Sequence, residues 1–125
     1  MSNSVIIVDD AEFMRLMLRD IVTEMGLQVV GEGANGAEAI DLYRKLQSDL
    51  VIMDITMPEM DGIEALREMI HHQTNARVIM IAALGQKDKV LESIQAGACD
   101  FIIKPFEEDR VKATITEVLQ RTVTT

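Results

Sequence analysis

Leu50-Val51-Ile52-Met53-Asp54-Ile55-Thr56-Met57-Pro58-Glu59-Met60-Asp61-Gly62 is the stretch that decides the fold of this chain. Four apolar residues run straight into a carboxylate, and a turn carrying Pro58 and Gly62 follows. An unbroken apolar run suits a strand covered on both faces; a half-exposed strand would alternate. Two other runs end in the same way. Val5-Ile6-Ile7-Val8 leads into Asp9-Asp10, and Phe101-Ile102-Ile103 leads into Lys104-Pro105. Carboxylates and a lysine placed where buried strands stop are the groups that metal-assisted phosphoryl chemistry needs.

Working outward, short apolar runs alternate with amphipathic stretches five times. Strands are predicted at about 5–8, 27–31, 50–53, 78–83 and 101–103. The first helical stretch carries Met14, Met17, Leu18, Ile21, Val22 and Met25, with Gly26 as its stop. The second follows Asn35-Gly36 and has Ile40, Tyr43 and Leu46 on one side. The third begins near Ile63 and shows Leu66, Met69 and Ile70. The fourth carries Val90, Leu91 and Ile94 and stops at Gly97. The fifth opens with Glu107-Glu108-Asp109, favourable at a helix N-terminus, and runs through Val111, Ile115, Val118 and Leu119.

A (βα)5 chain of 125 residues is expected to fold as a single α/β domain over residues 1–125. Right-handed crossovers would place helices on both faces of a doubly wound, five-stranded parallel sheet. The functional crevice of such a sheet lies at the carboxyl ends of its strands. Asp9, Asp10, Asp54, Ala82 and Lys104 all fall there, and residues 121–125 are too few for another domain.

Twelve basic residues against 21 acidic ones give a net charge of -9, which disfavours nucleic acid or an anionic membrane as direct partner. Cys99 stands alone, so no internal disulfide is expected. Met1-Ser2-Asn3-Ser4 does not resemble a secretory signal, and no apolar run approaches the roughly 20 residues that span a bilayer. The expected location is the cytoplasm.

Three carboxylates converging on one crevice repel each other unless a cation or proton intervenes. Mg²⁺ suits them, because it prefers oxygen ligands and keeps water positions that a phosphate can take. A carboxylate can itself be the nucleophile in phosphoryl transfer. Helix capping would account for Asp9 or Asp10 alone. It does not account for two adjacent aspartates, a third after strand three and Lys104-Pro105 after strand five.

Val8-Asp9-Asp10, the segment Met53 to Gly62, and Ala96-Gly97-Ala98-Cys99-Asp100-Phe101-Ile102-Ile103-Lys104-Pro105-Phe106 together resemble the receiver domain of two-component response regulators. The resemblance covers nearly the whole chain and is greatest to the single-domain chemotaxis regulators. It implies a flavodoxin-like strand order 2-1-3-4-5. It also implies that Asp54 accepts phosphate from a histidine kinase. Asp10 and Asp54 would bind Mg²⁺ directly with the Thr56 backbone carbonyl, Asp9 would act mainly through water, and Lys104 would contact the phosphoryl group. The Lys104–Pro105 bond would be cis. Such a domain is a phosphoacceptor in signalling, catalysing only its own aspartyl phosphorylation and dephosphorylation. A flagellar motor switch protein would bind its α4-β5-α5 face, and a phosphatase is a further expected partner.

One position departs from the family. Receivers carry Ser or Thr at the end of strand four, where the hydroxyl bonds a phosphoryl oxygen and draws the next loop inward. An aromatic residue of strand five then enters the vacated space. Phe101 matches the aromatic, but the hydroxyl position is Ala82, and no Ser or Thr occurs between Ala76 and Lys89. Weakened switching is therefore expected. Thr56 and Leu84 would flank the path of hydrolytic water and tune phosphate lifetime.

Other signals carry less. Gly31-Glu32-Gly33-Ala34-Asn35-Gly36 satisfies a dinucleotide fingerprint, but Glu32 would oppose phosphate and the motif follows the second strand, not the first. Its glycines are expected to serve the strand-to-helix turn. His71-His72 reads as an exposed helix end, most methionines as core filler, and Lys87-Asp88-Lys89 as solvated surface beside the partner face. Alternatives to motor signalling are a single-domain phosphorelay carrier and the receiver fragment of a DNA-binding response regulator. A haloacid-dehalogenase-type phosphatase would need an aspartate where Thr56 stands.

Overall fold

The computed structural model describes residues 3–73 and 75–121. The outermost residues, 1–2 and 122–125, which the sequence reading assigns to the ends of the domain, lie outside them. Strands and helices alternate as β1 (Ser4–Val8), α1 (Glu12–Glu24), β2 (Gln28–Gly33), α2 (Gly36–Leu46), β3 (Leu50–Asp54), α3 (Gly62–His72), β4 (Val78–Ala83), α4 (Lys87–Ala96), β5 (Asp100–Lys104) and α5 (Glu108–Gln120). All strand pairs are parallel, and their order is β2-β1-β3-β4-β5.

Each strand feeds two cores by alternation. Ile6, Val8, Val51, Met53, Val78, Met80 and Ala82 pack with residues of α2, α3 and α4. Val5, Ile7, Leu50, Ile52, Ile79, Ile81 and Ile102 pack with residues of α1 and α5. Asp9, Asp54 and Lys104 stand at the carboxyl ends of β1, β3 and β5, and Ala82 lies in the cluster shared with α2, α3 and α4.

Local chemistry sets the helix starts. The Asn35 side chain accepts from the Glu38 amide at 2.9 Å to begin α2. Asp61 accepts from the Glu64 amide at 2.9 Å, and Glu64 returns a contact to Asp61 N, a capping box at α3. Gly26 and Gly97, at φ +85° and +116°, stop α1 and α4 as the sequence reading expects.

Two expectations change. Gly31 and Gly33 lie inside β2, not in the turn. A Cβ at either would press on α2, meeting Leu42 Cδ2 at 3.1 Å from Gly31 and Glu38 Cβ at 3.2 Å from Gly33, so these glycines allow α2 to approach the sheet. Glu32 between them is neutralised by Arg15 and Arg19 of α1. On α4, Leu91 and Ile94 are 54% and 42% exposed, and the buried residues are Val90 and Ser93. Ser93 can turn inward because its hydroxyl donates to the Val90 carbonyl at 2.8 Å.

Glu59 sits at φ +68° directly after Pro58, a left-handed conformation that costs a side chain with a Cβ about 1–2 kcal/mol. Asn tolerates it better, so Glu59→Asn is expected to raise stability by about 0.5–1 kcal/mol in urea denaturation. An unchanged midpoint would mean that the Pro58–Met60 turn relaxes at no cost.

Candidate functional site

The order in which strands are added reverses between β1 and β3, and the crevice opens at that switch point. β1 delivers Asp9 and Asp10 there, and β3 delivers Asp54. The three carboxylates each offer an oxygen within 4.8 Å of the others. β5 supplies Lys104, whose ammonium donates to Asp54 Oδ2 at 3.0 Å and Asp9 Oδ2 at 3.2 Å. The Lys104–Pro105 peptide is cis.

Burial divides the work among the three acids. Asp9 is fully buried, with its second oxygen accepting from the Ala11 amide at 2.9 Å. Its backbone carbonyl is held by Arg15 Nη1 at 2.6 Å. Asp54 is nearly as buried, whereas Asp10 is exposed. Burial first, and then the charge of Asp9, push the Asp54 carboxyl above its ordinary range against the pull of Lys104. Lys104 is itself depressed by burial, but hydrogen bonding and charge from Asp54, then Asp9, outweigh that and hold it above the usual lysine value. The lysine is therefore a fixed positive charge in the pocket.

Three carboxylates against one ammonium leave two formal negative charges unmatched, and the donor set is entirely oxygen. That set fits a hard divalent cation such as Mg²⁺ and does not suit a thiophilic metal. The cluster could hold such an ion.

Thr56 and Leu84 are exposed beside this crevice, on the turns that leave β3 and β4. Ala82 is fully buried in the apolar cluster against which Phe101 and Ile103 pack, paired in register with Ile103. Sequence reasoning missed two participants, Arg15 and Gln86. The Gln86 carboxamide joins Ala83 N to Thr56 Oγ1, each at 2.8 Å. A side-chain amide has no pattern that marks it in sequence, whereas Arg15 could have been noticed at helical spacing from Arg19, facing Glu32.

A parallel 2-1-3-4-5 sheet with an acidic trio at its switch point and a lysine from the last strand defines a class. The response regulator receiver domain profile matches residues 5–116, and the chain belongs to that family. Within the family it is of the CheY type. It is 51% identical over 118 residues to chemotaxis protein CheY of Thermotoga maritima, covering 94% of this chain and 98% of that one. To chemotaxis protein CheY of Bacillus subtilis it is 52% identical over 119 residues, covering 95% and 99%. Among solved structures, the CheX-CheY-BeF3-Mg+2 complex of Borrelia burgdorferi superimposes with TM-score 0.91 at 38% identity, over 95% of this chain and 90% of that one. Among the described residues no helix is long and apolar enough to cross a membrane.

Proposed function

We propose that Asp54 accepts a phosphoryl group from a phosphohistidine of a CheA-like kinase and that the α4-β5-α5 face then engages a flagellar motor switch protein. The observation that carries the reading is the Lys104 ammonium shared between Asp54 and Asp9 beside exposed Asp10. An Asp54 oxygen attacks phosphorus, the P–N bond breaks, and its electron pair stays on the imidazole nitrogen, which takes up a proton. Mg²⁺ held by Asp10, Asp54 and the Thr56 carbonyl, with Asp9 reached through water, would neutralise phosphoryl oxygens. Lys104 balances the remaining charge and orients the acceptor oxygen. The Borrelia relative was crystallised with beryllofluoride, Mg²⁺ and CheX, which supports both the chemistry and a CheX-like partner. On the proposed motor face, Leu84, Leu91 and Ile94 are exposed and Phe101 is half-buried.

Ala82 is expected to weaken transmission. A hydrogen bond to a charged acceptor contributes about 1.5–3 kcal/mol, and ~1.4 kcal/mol is ten-fold in a two-state population. Ala82→Ser should therefore increase motor-protein binding per phosphorylated molecule by about ten-fold or more. Amide ¹H–¹⁵N spectra with Mg²⁺, before and after beryllofluoride, test the whole reading. Shifts at Asp10, Asp54 and Lys104 that reach Phe101 and α5 support motor signalling. Shifts confined to the pocket favour the phosphorelay carrier. No shift at Asp54 would refute phosphoacceptance.

A further inference from the structure

The turn that leaves β4 is closed twice by one residue. Gln86 N donates to the Ala83 carbonyl at 3.2 Å, with Gly85 at φ +90° in the turn. Ala83 N in return donates to Gln86 Oε1 at 2.8 Å. The Gln86 carbonyl accepts from Val90 N at 3.0 Å and so begins α4. One group of Gln86 remains, Nε2, and it donates to Thr56 Oγ1 at 2.8 Å.

Helix capping does not explain this side chain. Ser, Thr, Asn and Asp are the residues that cap helices, and Gln86 at the N-cap makes no capping bond with its side chain. Its length instead reaches across from the exit of β4 to the exit of β3, two residues beyond Asp54. Apolar burial does not fix the turn either, since Leu84 at its tip is 74% exposed. Ala82 has no hydroxyl with which a phosphoryl group could draw the turn inward.

We infer that Gln86 is a positioning residue whose carboxamide holds the β4–α4 turn against Thr56, closing the β3–β4 side of the acidic pocket and slowing loss of phosphate from Asp54. The second half of this rests on Asp54 being the phosphoacceptor. In the slowed step, a water oxygen bonds to phosphorus as the bond from phosphorus to the Asp54 oxygen breaks. The electron pair returns to the carboxylate, and the water's proton leaves with phosphate. Each neutral hydrogen bond of the bridge is worth roughly five-fold in an equilibrium.

The test compares the parent with Gln86→Ala, Thr56→Val, Thr56→Ser and the Gln86→Ala/Thr56→Val double variant. Amide hydrogen exchange at Ala83 is read in unphosphorylated protein. Decay of aspartyl phosphate is read after phosphoramidate is removed. Gln86→Ala should speed Ala83 exchange by about five-fold and phosphate decay several-fold. Thr56→Val should speed decay, Thr56→Ser should retain the parent rate, and the double variant should decay no faster than Gln86→Ala. Unchanged exchange in Gln86→Ala would overturn the bridge. Slower decay in Gln86→Ala, or strictly additive effects in the double variant, would overturn its role over Asp54. If Gln86→Ala does not fold, the contrast between Thr56→Val and Thr56→Ser decides. Failure of the parent to take up phosphate would refute the phosphoacceptor reading and with it the decay half, while Ala83 exchange would still judge the bridge.

Discussion

Asp54→Asn is expected to abolish phosphoryl uptake from phosphoramidate and, in metal-free buffer, to make the protein more stable than its parent. The first effect follows because an amide oxygen is a poor nucleophile toward phosphorus and, among the described residues, Lys104 bonds no other acid than Asp9, whose second oxygen is tied to Ala11. The second follows from linkage. The folded-state value of Asp54 lies above its unfolded value, chiefly through burial. As pH rises from acid, the unfolded chain therefore releases this proton first and gains on the folded state. Below the unfolded value both states are neutral at this group, and parent and variant should converge. Above the folded value the destabilisation is complete, and the gap should be widest. Mg²⁺ should reverse the order, since at ten times its Kd a ligand adds about 1.4 kcal/mol to the state that binds it. Urea midpoints at several pH values, with chelator or with Mg²⁺, check this. A variant less stable than the parent in chelator would mean that the Lys104 pair outweighs burial.

Gly62→Ala should be the most damaging small substitution near the site. Gly62 has no left-handed backbone to protect, so the reason is space. Its Cβ would fall well inside contact distance of the Asp54 carbonyl oxygen and 2.9 Å from Met80 Cε. Gly62 N also donates to the Ile55 carbonyl at 2.7 Å, which pins α3 to the end of β3. A methionine tip can move, but the backbone of Asp54 cannot move without carrying its carboxylate away from Lys104. A loss of about 3 kcal/mol is expected, at the upper end for overpacking, together with weakened Mg²⁺ binding. Chemical denaturation and Mg²⁺ titration report the two effects separately. Full stability with normal Mg²⁺ affinity would show that α3 shifts as a body.

Much of the site was legible because its residues stand at the ends of apolar runs. Asp9, Asp10, Asp54 and Lys104 follow strands whose burial on both faces leaves an unbroken apolar signature, and strand ends are where a doubly wound sheet exposes side chains. Helix boundaries were legible at Gly26, Asn35 and Gly97, where caps and stops have distinct chemistry. Gly31 and Gly33 misled because a glycine needed for close helix packing looks the same in sequence as one needed for a turn. Leu91 and Ile94 misled because apolar spacing predicts an inward face, whereas Ser93, satisfied by its own helix, takes the buried position.

The strand and helix alternation, the acidic trio and the lysine are written in the order of residues along the chain, because burial and valence restrict which residues those positions can hold. Tertiary structure decided what sequence spacing cannot encode. Alternation along β4 placed Ala82 in the apolar cluster against which Phe101 and Ile103 pack. Approach of two loops distant in sequence let Gln86 bridge Ala83 and Thr56. Such contacts depend on how two strand exits are spaced across the sheet, and that spacing exists only once the sheet has formed.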